Sequence, residues 1–387
     1  MKSTIGLLIT FILFSHTSNA QTITPTCAQI MKIDTIHGQI ITDPYFWLRD
    51  QSNKDVLAYI ESENEFTSQN MKSNKKLEKT ILKELYNLYP REEKKPPYWV
   101  NGYWYYKVRK KDNFLLYRST DTISSAKEFV FDTNKIIKKH KCFDADLYDF
   151  SEDNKILAYE VDETGDNFYN MFFMEIAKQN TLNDTIFNVS SLEFCGDNSS
   201  VIYVQDDTVT FRSHKVFMHK LGTPNSQDIL IYHEQDEEKS INVYKSLSKN
   251  FIFIETGTRD ENEVWFLINN GQDLKLKRIS NLTNGVDLSF DHLDGIFYQF
   301  TNESSPNYKL LTNTEGFHPQ NGWKEIVPHR DSVILNDYIV LKDYLVLSEN
   351  HFGEDKIQVI NKTTGQKSYL PFEKKNASIS VGAYTNH

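Results

Sequence analysis

An all-β fold, a β-propeller of the seven-bladed type, is what three features of this sequence predict. The 387 residues include 25 Phe, 21 Tyr and 5 Trp against only 15 Gly and 10 Pro, and aromatic side chains suit pleated, half-buried surfaces. From Pro96 onward, short β-branched or aromatic runs alternate at period two between polar turns, with no long helical pattern. The runs that open each sheet unit, near Tyr98, Phe143, Val189, Asn242, Val286, Val333 and Ala377, are spaced by 44 to 53 residues, in the range of four-stranded propeller blades, roughly 40 to 50 residues each. A β-sandwich pair, or an irregular all-β fold whose turns happen to space evenly, is the competing architecture.

Residues 1–20 read as a signal peptide. Lys2 supplies the positive start, Ile5 to Phe14 the apolar stretch, and Ser18-Asn19-Ala20 the small-x-small cleavage site. Cleavage near Ala20 predicts export, to a periplasmic or extracellular location, with an uncleaved N-terminal anchor as the alternative. No later stretch reaches the roughly 18 apolar residues of a membrane-spanning helix, so no membrane association is expected after cleavage. A lipid anchor on Cys27 is disfavoured, because Thr24-Pro25-Thr26 lacks the apolar and small residues of such a site.

Residues 21–90 form an N-terminal helical extension in this reading. Ser52 to Gln69 carries helical spacing behind the capping-box-like Ser52-Asn53-Lys54-Asp55. In a second helix Leu77, Ile81, Leu82, Leu85, Leu88 and Tyr89 share one face, and Pro90 stops it. That stripe needs a partner surface; without one it should face solvent. Residues 91–387 are the propeller. Asn101-Gly102 between Pro97–Val100 and Tyr103–Tyr106 is a strong hairpin signal, since both turn residues tolerate positive φ. Six blades are complete. The seventh opens at Ala377-Ser378-Ile379-Ser380-Val381, and the chain is expected to be truncated inside it, leaving an uncovered sheet edge.

Composition narrows the chemistry. Forty-three Lys and Arg against 53 Asp and Glu give a net charge of −10 without a basic stripe, which argues against nucleic-acid binding. Cys27, Cys142 and Cys195 are too few and scattered for a disulfide framework; buried free thiols are expected, and spacing leaves a Cys142–Cys195 bridge open. The G-x-S-x-G elbow of α/β-hydrolases does not occur, because no two glycines stand four residues apart. His214 and His219 do not match the metal-binding H-E-x-x-H pattern. The acidic segments Glu234–Glu238 and Asp162–Asn167 match no calcium loop and read as solvated turns. Phosphate-binding glycine loops are missing, so no catalytic residue, metal or cofactor is assigned. Sequons at Asn183, Asn188, Asn198, Asn281, Asn302, Asn361 and Asn376 are uninformative in a chain rich in Asn, Ser and Thr.

Several segments, taken in order, resemble the prolyl oligopeptidase family of serine peptidases, and most closely its oligopeptidase B branch. They are Asp43-Pro44-Tyr45-Phe46-Trp47-Leu48-Arg49-Asp50 with Val56 to Asn64, which look like the family's opening helix, and Glu128 to Asn134, similar to its first-blade exit. Leu157 to Asp162 with Gly165, His219-Lys220-Leu221-Gly222-Thr223, Asp228 to Glu234, Glu263-Val264-Trp265, Thr301-Asn302, Asn307-Tyr308-Lys309-Leu310 and Trp323-Lys324-Glu325 follow. The resemblance implies a propeller that caps an α/β-hydrolase domain and restricts access to short peptides, with the N-terminal helices wrapping the hydrolase. That domain would follow the seventh blade and has no counterpart here, so no catalytic or specificity residue carries over. Arg212-Ser213 departs from the Arg-Pro usual in the branch.

The expected function is therefore the substrate-gating N-terminal part of an exported serine-type oligopeptidase, inactive as this chain, through a frameshift, premature stop, split gene or partial record. Its partners would be short peptides through the propeller channel and an α/β-hydrolase domain, missing or separately encoded. Cleavage after basic residues or after proline stays open. The alternatives are a stand-alone exported propeller that binds peptides or a protein, and one half of a split peptidase.

Overall fold

The computed structural model describes residues 24–89, 92–110, 113–122, 126–142, 144–314, 322–372 and 378–379. Residues 1–20, the sequon at Asn376 and most of the run from Ala377 to Val381 lie outside them. The chain divides into two compact units, with the division between residues 90 and 91.

The first unit is not purely helical. It opens with a hairpin, Lys32–Ile36 paired with Gln39–Asp43, turned by His37 and Gly38 at positive φ. The segment Asp43 to Asp50 holds the end of that hairpin and a short 3-10 turn, Phe46–Arg49. Helix α1 spans Lys54–Asn70 and α2 spans Lys75–Leu88. Asn53, not Ser52, caps α1: its side chain accepts from the Asp55 N–H, satisfying one of the first-turn donors that lack helical partners. Within α1 only Val56 is buried, and α2 buries nothing.

Among the described residues of the second unit, six antiparallel sheets follow one another in chain order. Blade 1 comprises Glu92–Lys94 and Tyr98–Val100, both paired with Tyr103–Lys110, then Asn113–Ser119 and Glu128–Asp132. Pro96-Pro97 supplies no N–H to the ladder and splits the first strand in two, so this strand starts earlier than the sequence pattern suggests. Blades 2 to 6 have four strands each and open at Asp144–Phe150, Val189–Phe194, Ser240–Lys245, Leu288–Leu293 and Val333–Val340. Helix α3, Thr133–His140, joins blades 1 and 2. Asp132 caps its start and Lys141, at φ 56°, ends it. Asn101 and Gly102 take the positive φ that a type I′ hairpin turn requires.

Second strands carry the core. In Ser200–Asp206, Val201 and Tyr203 pack toward blade 2 while Ile202 and Val204 pack toward blade 4. Period two thus feeds two interfaces from one strand. The same alternation sends Ile252 and Ile254 to blade 3 and Phe253 to blade 5. One hydrophobic cluster fills each of the five junctions between successive blades. All three cysteines are free; Cys142 and Cys195 are buried, whereas Cys27 is only partly so. No helix among the described residues is long and apolar enough to cross a membrane.

Candidate functional site

The first strands of blades 2 to 5 lie innermost, because successive ones bond to one another. Leu192 N donates to Tyr148 Oη at 3.1 Å, Val243 N to Ser191 Oγ at 3.3 Å, and Phe290 N to Tyr244 Oη at 3.3 Å. In a propeller these strands line the axial channel. At nearly equivalent places they and the first strand of blade 6 present Asp149, Glu193, Lys245, Asp291 and Asp337. Register shifts at Leu147/Asp149 and Leu335/Asp337 mark bulges beside two of these acids, a device that re-aims a side chain.

Electrostatics on this wall are set by desolvation. Lys245 Nζ sits 3.5 Å from Glu193 Oε2 and 3.9 Å from Glu152 Oε1. Burial opposes its charge, but Asp149, Glu193 and Glu152 together overcome that and hold its pKa above the ordinary value. Burial raises Asp149 and Glu193, and their mutual repulsion adds to it at Glu193. Three carboxylates thus share one ammonium. Burial also lifts Asp291 to about 6, against N–H donation from Leu247 and His292. The wall offers partly buried polar groups, with Asp337 exposed, suited to an extended chain's amides and side chains.

The turns that follow the inner strands of blades 1 to 4 are knitted together. Asn101 Nδ2 donates to Ser151 O at 3.3 Å, and Asn154 Nδ2 to Asn101 O at 2.6 Å. Asp153 N donates to Asn198 Oδ1 at 2.8 Å, and Gly196 N to Asn269 Oδ1 at 3.0 Å. A Cβ on Gly196 would stand 2.6 Å from the Asn269 carbonyl oxygen, so only glycine permits this approach. Asn269 Nδ2 in turn donates to Glu152 Oε1 at 2.9 Å and Lys249 O at 2.8 Å. Lys249 Nζ donates to Asn101 Oδ1.

The features weighed in the sequence fall elsewhere. His214 and His219 share one strand, Ser213–Lys220; five residues apart, they point to opposite faces. Fully buried His219 places Nδ1 2.7 Å from Asp228 Oδ1 and Nε2 3.2 Å from Asp184 Oδ1, tying blade 3 to the rim strand of blade 2. Asp162 and Glu234 are not solvated turn residues. Asp162 is buried and accepts from the Thr164, Gly165 and Asn167 N–H groups; Glu234 is buried and accepts from Thr256 Oγ1 and Asp236 N. Ser248 Oγ lies 2.7 Å from His292 Nδ1, but that ring is fully buried against Phe251 and Phe297, out of reach of a substrate carbonyl. The axial charges and the turn network are not singled out from the sequence. Their signal is a charged residue recurring near the end of successive first strands, visible only once the blades are aligned.

Comparison with known proteins fits this architecture. Residues 25–386 match the family model of the prolyl oligopeptidase N-terminal β-propeller domain. The chain is 26 % identical over 372 residues to dipeptidyl aminopeptidase BI of Pseudoxanthomonas mexicana, covering 90 % of this chain and 51 % of that protein. It is 23 % identical over 331 residues to protease 2 of Moraxella lacunata, covering 80 % and 48 %. Oligopeptidase B from Leishmania major superposes with a TM-score of 0.83 at 21 % identity, covering 91 % of this chain and 54 % of that one. The chain thus spans about half the length of these relatives. With six blades in order and a match over nearly all its residues, the chain belongs to the prolyl oligopeptidase family, as that family's N-terminal β-propeller domain.

Proposed function

We propose that this chain is the substrate-gating propeller part of an exported serine-type oligopeptidase that hydrolyses short peptides, and that it does not hydrolyse them alone. The observation that carries this reading is the propeller-domain match over residues 25–386, set beside relatives about twice as long. Acyl transfer needs an activated serine and preorganised oxyanion donors, and in the Ser248–His292 pair the imidazole is fully buried. In this reading the partner is an α/β-hydrolase domain, on a longer chain or separately encoded, and short peptides pass along the axial wall. Incubating the purified chain with short Arg- and Pro-containing peptides should give no cleavage. Turnover that survives further purification contradicts the proposal.

Export rests on the leader-like residues 1–20. N-terminal sequencing of the processed protein should begin at Gln21; retention of Met1 on protein collected outside the cytoplasm contradicts cleavage. The clusters filling every junction between described blades favour a second reading, a stand-alone propeller that binds peptides or a protein partner. A stable monomer with one cooperative unfolding transition supports that reading; aggregation unless a hydrolase segment is co-expressed supports the first.

A further inference from the structure

Most bonds in the turn network join adjacent blades, but Asn269 to Glu152 joins blades 4 and 2, and the bond from Lys249 to Asn101 reaches further still. It runs from the turn after the inner strand of blade 4 to the turn after the inner strand of blade 1, 148 residues away in sequence, with blades 2 and 3 between them. Such a bond is a chord across the end of the axial channel rather than a seam between neighbours. Both ends are well anchored. Asn101 is held to blade 2 through Ser151 and Asn154, and Asn154 in turn accepts from Tyr105 Oη at 2.8 Å and from Arg118 Nη1 at 2.6 Å. The Lys249 carbonyl is held by Asn269, which also grips Glu152 of blade 2 and Gly196 of blade 3.

The connecting link itself is the weak point. It is a single neutral acceptor facing one ammonium on a long, flexible stem, half-buried and therefore short of water on both sides. Burial, with Lys245 adding to it and Glu152 opposing it, lowers the pKa of Lys249. Blade 4's turn is also bonded to blade 5, Leu247 N to Asp291 Oδ1 and Ser248 N to His292 O, both at 2.8 Å; the chord itself joins blades 1 and 4, so it bears on one side of the mouth.

We propose that the Lys249–Asn101 bond is a latch over this end of the propeller channel: made, it narrows the opening that blades 1 to 4 surround; broken, it lets blade 1 move away from blade 4 and admits an extended peptide. The proposal rests on the reading of the channel as a peptide path.

Lys249→Met removes the donor while keeping the stem. Asn101→Gly removes the acceptor, together with the Nδ2 donation to Ser151, while keeping the positive-φ turn, so the latch is read from the effects the two variants share. Hydrogen exchange by mass spectrometry and the association rate of a fluorescein-labelled, unstructured ten-residue peptide containing Arg and Pro are compared for wild type and both variants. Exchange in segments 99–104, 149–156, 194–200 and 246–252 should quicken at least ten-fold in each variant. Segments 293–296 and 341–344 should stay unchanged, and peptide association should rise at least three-fold. Unchanged exchange, or equal acceleration everywhere, overturns the latch. Faster turns with unaltered association overturn its role in admission while leaving the peptide path standing. Peptide binding by none of the three proteins overturns the peptide path and the latch's role with it, an outcome that wild type alone reveals.

Discussion

Glu349 is fully buried in the second strand of blade 6, Tyr344–His351, and three groups make its charge tolerable. Arg330 Nη2 donates at 2.6 Å, His351 Nε2 stands at 2.7 Å and Tyr369 Oη donates at 3.1 Å. Although burial pushes its pKa up, these partners hold the carboxyl below its ordinary range. Removing the guanidinium strands a buried charge, which typically costs a few kcal/mol. Arg330→Met should lower unfolding stability by about 3 kcal/mol in urea titrations, and a loss under about 1 kcal/mol would show that His351 and Tyr369 suffice. Asp291 behaves oppositely. Its folded pKa of about 6 lies above the unfolded value, so the folded state holds the proton more tightly and stability falls as pH rises from about 4 to 6. Asp291→Asn should therefore stabilise the protein at pH 8 by about 1 to 2 kcal/mol, with little effect at pH 4; equal effects at both values would contradict the assignment.

At the scale of elements, α2 stands out. Leu77, Ile81, Leu82 and Leu85 are 59, 46, 48 and 48 % exposed and, with Met71, line a hollow of about 410 Å³. An amphipathic helix gains most of its stability from burying that face, so the first unit should open locally at little cost. Limited proteolysis should cut residues 21–90 before any blade strand; equal protection of both parts would contradict this. How far such elements were legible follows from their physics. The stripe on α2 and the period-two strands declare themselves because each side chain's face is fixed by local geometry. The break at Pro96-Pro97 and the eight-residue α3 do not, since one depends on pairing to Tyr103–Lys110 and the other is too short for a periodic signal. The cap of α1 shifted by one residue because Ser52 and Asn53 are both competent caps and only the backbone path selects between them.

For the whole molecule, the blade spacing was readable because each sheet repeats one supersecondary unit, and the openings observed at Asp144, Val189, Ser240, Leu288 and Val333 fall close to the expected ones. The axial wall and its turn network were not readable. Lys249 and Asn101 meet only after four blades have curved round an axis, and no local pattern encodes that meeting. In the proposed function this wall serves as a path for short, extended chains. The most direct test of that role is equilibrium binding of an unstructured eight- to ten-residue peptide, by fluorescence anisotropy, against the same sequence displayed within a folded carrier protein. Saturable binding of the free peptide with none of the carrier is the predicted result; no binding of the free peptide, or equal binding of the folded carrier, would contradict it.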